Sequence, residues 1–320
     1  MLHGADVNCV GHAGAPCLCR RSNRQLKKIA PRLLAPQNGS NLEPCMGGRY
    51  RPHAPRPTPH VARRSHRLQW RIIRPPNSSE PLRAPDMLIS CYSSGEAIRS
   101  RRVSEVVLSG VVDIPMPSQR VLLDWDRETS SRMDLEAGDV EAMPFARTRV
   151  RWPDYTRCVQ AMSDWTRSLG LPEVLVTSDV ALMACRGARY HHDAGQYGGA
   201  AFCNLFLTED QGFDLHFAST GERIPLRRGT AVIFDTGQPH GVVRRGSSVF
   251  DAEDFTLNSE CVQIFLTWEL PIENAHVARA LNIEFDVATS HSLQAGTEQV
   301  LLNGVAVSTC PRSGRWLPAD

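Results

Sequence analysis

The sequence predicts a mainly β fold with flanking helices, arranged as a sandwich or jelly roll, and three features predict it. Beyond Leu171, short runs of β-branched and aromatic residues recur at intervals of roughly 8 to 12 residues. The segments between them are turn clusters, namely GQYGG, TEDQG, STG, RRG, TGQP and RRGSS. No regular alternation of strand and long helix interrupts the series, which argues against a parallel βαβ sheet.

Taken in order, VSEVVLSGVVDI and QRVLL, between Val103 and Leu123, read as strands separated by a turn. The acidic stretch WDRETSSRMDLEAGDVEAMPFA reads as loop with some helix. Pro153 then opens a helix whose apolar residues Tyr155, Val159, Met162, Trp165 and Leu169 recur at steps of four and three; Gly170 and Pro172 stop it. Strands are predicted over Glu173 to Cys185, Ala200 to Thr208, Phe213 to Ala218, Glu222 to Leu226, Thr230 to Asp235, His240 to Arg244 and Cys261 to Leu270. The tail carries a short helical pattern, ENAHVARALNI, and then weak strands.

Charge divides the chain. Residues 1–86 hold fifteen Lys or Arg against four Asp or Glu, and twelve of the 22 prolines. Such a segment cannot bury enough apolar surface to offset its ordering entropy, so it is expected to be disordered or a non-functional N-terminal extension. No lysine follows Lys28, and the remaining 234 residues carry 21 Arg against 30 acids. They are expected to form a single domain, 87–320, with its β core at about 173–270. The acidic balance disfavours nucleic acid as a partner, since phosphate binding needs a basic groove. No run of 18 apolar residues predicts a membrane span. The N-terminus lacks the basic start and apolar region of a secretory signal. The ten cysteines are scattered, without a CxxC pair, as free thiols of a cytoplasmic protein would be.

Two stretches carry chemistry. In RYHHDAG, Arg189 to Gly195, strand alternation would put His191 and Asp193 on one face and His192 on the other. In RRGTAVIFDTGQPHGVV, a Gly turn, a buried strand and a Gly/Pro turn lead to His240 at the start of a further strand. Antiparallel folding can bring His240 to the other two. Two imidazoles and one carboxylate leave open positions on an octahedral ion, the arrangement suited to non-haem Fe(II). A closed zinc site would want a fourth strong ligand, and none stands near either motif.

The order of strand, HxD, several strands, Gly-turn strand, PH and last strand resembles the double-stranded β-helix core of the Fe(II)/2-oxoglutarate-dependent oxygenases. That resemblance implies a jelly-roll core and iron held by His191, Asp193 and His240. It also implies 2-oxoglutarate and O2 as co-substrates, with hydroxylation of a small-molecule or amino-acid-like substrate as the default outcome. Members of the family hold the far carboxylate of 2-oxoglutarate with an Arg or Lys on the last core strand, where CVQIFLTWEL has none. The pleat of HGVVR offers Arg244 instead, on the face of His240; Arg186 and Arg189 are further candidates. Asn204 and Tyr190 are expected to hydrogen-bond the keto acid, and Trp268 and Tyr197 to line the substrate pocket. His216 reads as a sheet histidine and His192 as a bystander. Two other readings stay open at this level: a cupin-like jelly-roll metalloprotein using the same ligands, and a β-sandwich binding module without catalysis.

Overall fold

The computed structural model describes residues 87–133, 135–255, 261–287 and 298–319; the basic segment 1–86 lies outside them. The described chain opens with a hairpin, β1 (Leu88–Ser94) and β2 (Ala97–Arg102), turning at Gly95 with φ +62. After β3 (Val107–Val111) the expected strand QRVLL is instead the start of helix α1 (Gln119–Ser131). Its buried residues Val121, Trp125 and Thr129 are four apart, a helical stripe that a five-residue window is too short to display. The acidic stretch yields β4 (Val140–Ala142) and α2 (Phe145–Arg151), and the predicted helix is α3 (Tyr155–Ser168), with Met162 and Trp165 buried. Residues 173–178 form turns, with Glu173 at φ +57, so the strand expected from Glu173 begins only at Val180.

The barrel strands follow: β5 (Val180–Cys185), β6 (Ala188–His191), the short helix α4 (Ala194–Tyr197), β7 (Ala200–Phe206), β8 (Phe213–Phe217), β9 (Arg223–Pro225), β10 (Thr230–Asp235), β11 (His240–Arg244) and β12 (Gln263–Pro271). Helix α5 (Ala275–Ala280) and strands β13 (Gln299–Leu302), β14 (Val305–Thr309) and β15 (Trp316–Pro318) complete the chain. One sheet has the order β3-β10-β7-β12-β5-β4 and the facing sheet β6-β11-β8-β9, with antiparallel pairing throughout. Strands β5 to β12 thus pass back and forth between two four-stranded layers, which is a double-stranded β-helix. A third sheet, β15-β14-β13-β1-β2, joins the opening hairpin to the tail.

Strand alternation divides the large sheet cleanly. Ala201, Cys203, Leu205, Ile233, Leu266, Trp268 and Leu270 face the helical layer, where Trp125, Trp152, Met162 and Trp165 are buried. The opposite face meets the smaller sheet across a core rich in phenylalanine, with Phe206, Phe213, Phe217, Phe234, Phe250, Phe255 and Phe265. Trp268, expected in the substrate pocket, therefore belongs to the helix-facing core. The six cysteines among the described residues are free, as expected, and four are buried. No helix among those residues is long and apolar enough to cross a membrane.

One buried interaction ties the opening hairpin to the barrel. The side chains of Arg101 and Asp235 are both fully buried, and the guanidinium meets the carboxylate at 2.5 and 2.8 Å. Asp235 also accepts from the backbone N–H groups of Ser104 and Gly237, both at 2.8 Å, while Arg101 Nε donates to the carbonyl of Gly198 at 2.8 Å. Removing one member leaves the other charged and unpaired in the interior, which costs about 3–5 kcal/mol. Asp235→Ala is expected to lower the unfolding free energy by that amount in urea titrations, whereas a loss under 1 kcal/mol would show that the pair anchors nothing.

Candidate metal centre

The site forms where β6 and β11 pair, with His191 directly opposite His240. Asp193 does not reach it by strand alternation. Strand β6 ends at His191, and Asp193, with φ −104 and ψ 8, starts the turn into α4. Its backbone N–H donates to the carbonyl of Thr236 at 2.8 Å, and its own carbonyl accepts from Gln196 and Tyr197. The turn, not the pleat, aims the carboxylate at the two rings.

The resulting geometry is close and open on one side. Asp193 Oδ2 lies 3.6 Å from His191 Nε2 and 3.5 Å from His240 Nε2, and one ligand atom from each residue falls within 4.8 Å of the others. The side chain of His240 is 7% exposed and that of His191 38%, so the cluster is walled behind and accessible in front. His191 Nδ1 donates to the Arg189 carbonyl at 2.7 Å and His240 Nδ1 to the Gln238 carbonyl at 2.9 Å. A carbonyl only accepts, so each Nδ1 carries a proton and Nε2 is the ring nitrogen turned toward the cluster. Backbone bonds of this kind fix the tautomer and ring direction of metal-binding histidines. Burial, partly opposed by His191, pushes the Asp193 carboxyl above its usual range, and burial holds the His240 imidazole well below its usual value. Two imidazole Nε2 atoms and a buried carboxylate form a donor set that a divalent cation fits.

The remaining expected residues divide. Tyr197 follows Asp193 in α4, and Asn204 lies one inner position deeper than Phe202. Asn204 sits on the inner face of β7, opposite Val232 and Thr267, and is 6% exposed with its Oδ1 unpartnered. The Tyr197 ring packs on Phe202 at 5.1 Å, and its hydroxyl is pushed up to about 12, first by burial and then by Glu269 and Asp193. Arg244 shares the face of His240, being paired with Phe213 as His240 is with Phe217. Four residues, however, carry it about 13 Å along the strand. There its side chain is 68% exposed and pairs with Asp254 at 3.3 Å, so the expected anchor is at the wrong end of β11.

Tyr190 points through the opposite face of the small sheet, where its hydroxyl meets His216 and its ring lies against Gly241 and Gly314. It therefore faces no keto acid at the cluster. Arg189 pairs with Asp139 at 2.9 Å and lies over Phe250, while Arg186 Nε donates to the carbonyl of Leu135. His192 packs beside Trp316. The arginines on the eight barrel strands are Arg189, Arg223 and Arg244; Arg223 bonds Ser247 and Ser248. Among the described residues, the barrel strands thus present no cation to the cluster.

Two features went unread in the sequence. Thr236, whose hydroxyl lies 2.8 and 2.9 Å from the Tyr197 and Ala200 carbonyls, clamps the loop after Asp193 to the turn before His240. Glu269 stands on the inner face of β12 among Gln263, Phe265 and Thr267. The strict alternation of QIFLTWEL would have separated that polar face from Ile264, Leu266, Trp268 and Leu270.

No protein-family model and no curated protein matches the chain. Among solved structures it is similar to EvdO2 from Micromonospora carbonacea var. aurantiaca, at 12% identity and TM-score 0.34 over 52% of this chain and 87% of that one. It is also similar to SnoN, a non-haem α-ketoglutarate-dependent epimerase from nogalamycin biosynthesis, at 11% identity and TM-score 0.30 over 60% and 89%. The α-ketoglutarate-dependent carbocyclase SnoK of the same biosynthesis matches at 11% and 0.31 over 54% and 85%. Likeness at this level carries nothing about activity.

Burial also sets a pH dependence. The His216 imidazole is lowered to about 4, mainly by burial and then by Arg223, and His192 likewise to about 4 by burial and then by His191. Both take up protons more readily when unfolded, so their contribution is full above pH ~6.5 and is lost as pH falls toward ~4. For the metal-free protein, His216→Gln is expected to flatten the fall in urea midpoint between pH 7 and pH 4.5. An unchanged slope would mean that His216 is not held neutral.

Proposed function

We propose that this protein is a non-haem iron oxygenase in which His191, Asp193 and His240 hold one Fe(II) at the mouth of the β-helix, acting on a small-molecule substrate. The observation that carries the reading is the convergence of two Nε2 atoms and one carboxylate on an accessible point, with both Nδ1 protons fixed by backbone carbonyls. Bound Fe(II) would supply open coordination positions for a co-substrate and O2. The chain's own part is positional. Pairing of β6 with β11 sets the separation of the two rings, and the Thr236 carbonyl holds the turn that presents Asp193. The Phe234 ring, 4.7 Å from His240, and Phe217 below it close the rear of the site to water.

Hydroxylation of a small-molecule or amino-acid-like substrate, with 2-oxoglutarate as co-substrate, rests on the sequence resemblance. The residues fit the metal. They do not fit the far carboxylate of 2-oxoglutarate in the usual way, because the described barrel strands give it no cation. That same observation favours a second reading, a cupin-like iron protein that uses the three ligands for other oxygen chemistry.

Anaerobic loading with Fe(II), followed by measurement of succinate formed from 2-oxoglutarate, separates the two. Wild type is expected to bind one Fe(II) and form succinate. His191→Ala and Asp193→Ala are each expected to weaken Fe(II) binding at least 100-fold. Stoichiometric iron without succinate would leave the cupin-like reading, and iron binding that survives both substitutions would remove the metal centre altogether.

A further inference from the structure

We propose that the inner wall facing the cluster, formed by Glu269, Asn204, Thr267 and the Tyr197–Phe202 pair, is a recognition site for a protonated amine carried by the small molecule bound at the mouth. The proposal rests on the reading of His191, Asp193 and His240 as the reaction centre, and it adds the chemical class of what approaches that centre.

Glu269 occupies the inner face of β12 and pairs across with Phe202. The Phe202 ring touches Phe234, which touches His240, so the carboxylate joins the ring of residues at the level of the cluster. Thr267, one inner position further along β12, pairs with Asn204 on β7. Glu269 and Asn204 are therefore diagonal neighbours, about 7–8 Å apart at the backbone, a span that one small ligand can bridge.

Both side chains hold an acceptor oxygen that no protein donor meets. Glu269 is half-buried, its backbone N–H donates to the Asp179 carbonyl, and its side chain makes no hydrogen bond or ion pair among the described residues; Asn204 Oδ1 is buried with no partner. Burying acceptors in this state costs free energy that a donor-bearing ligand returns. Burial, and after it the nearby Asp179, holds the Glu269 carboxyl above its usual range, as befits an acid without a counter-ion. The adjoining wall is aromatic: Tyr197 and Phe202 meet edge to face, 5.1 Å apart at 62°. A carboxylate, an amide oxygen and aromatic faces together favour an ammonium group through charge, hydrogen bonding and cation–π attraction. The same wall repels a carboxylate, since no arginine of the barrel strands reaches it.

The test uses the full chain with Mn(II) as a paramagnetic metal and n-butylammonium, butan-1-ol and butyrate as probes. Affinity is read by titration, and proximity to the metal by relaxation of the probe's protons. Wild type is expected to bind butylammonium at least tenfold more tightly than either other probe, with its protons relaxed by Mn(II). Glu269→Gln is expected to lose at least tenfold in that affinity while keeping Mn(II) binding. Glu269→Asp should retain the preference for ammonium. Should Glu269→Gln fail to fold, Thr267→Arg supplies an internal cation and is expected to abolish ammonium binding.

No butylammonium binding by wild type, equal binding of butan-1-ol, or full affinity in Glu269→Gln overturns the proposal. Repeating the titration without metal keeps the two readings apart. Glu269-dependent ammonium binding in a chain that takes up no Mn(II) sinks the metal reading alone, and Mn(II) binding without ammonium preference sinks the amine site alone.

Discussion

The fully buried ion pair between Arg101 and Asp235 sets the geometry on which the mouth of the barrel depends. A pair of this kind adds little net stability over apolar residues of the same shape, because two charges must first be stripped of water. Its effect is positional. Asp235 ends β10, and by accepting from Gly237 it shapes the turn that delivers His240 five residues later. Arg101, from a hairpin outside the barrel, bonds the Gly198 carbonyl in the loop that follows Asp193. One guanidinium thus spans the two loops that carry the candidate ligands, and the Thr236 hydroxyl clamps the same loops together one residue further on.

Below the mouth the barrel is filled. Phe206 stacks on Phe265 at 5.0 Å, Phe213 on Phe255 at 4.8 Å and Phe250 on Phe255 at 5.5 Å. These rings, packed on one another, fill much of the interior beneath the mouth. The polar inner positions near that end are His191, His240 and Glu269, with Asn204 and Thr267 one inner position deeper. The filling also orients the site, since His240 is held at Nδ1 by Gln238 and on its ring by Phe234 and Phe217.

What was legible in the sequence follows from the range of the interactions involved. Strands β7 to β12 could be read because alternation and Gly or Pro turns are local, and His240 could be placed because a turn and a strand start define it. QRVLL reads as a strand because five residues show no period, while the stripe from Val121 to Thr129 shows the helix. Convergence of the HxD pair was anticipated through the pleat but arises from the turn after β6, whose anchor is the distant Thr236 carbonyl. Arg244 illustrates a different limit. Alternation gives the face of a residue and not its depth, and depth decides whether a side chain reaches a site or the solvent at the far rim. Arg101 is out of reach, since its partner lies 134 residues away and Arg101 itself sits in no motif.

Electrostatics at the mouth now reads as a sequence of dependencies. Asp193 and Glu269 face it without an arginine from the barrel strands, so in their ionised forms they would draw a cation to the metal-free mouth. A divalent ion at the three ligands would outweigh Asp193 and reverse the sign of the field at that point alone, leaving Glu269 negative on the facing wall. An anionic co-substrate could then approach only through the ion, and a cationic group only along the wall. The two halves of the niche would select opposite ends of what they bind, and a molecule carrying an ammonium group toward Glu269 would be oriented before any chemistry began. Orientation of this sort restricts a reactive centre to one region of its substrate, which the aromatic floor beneath would otherwise leave unspecified.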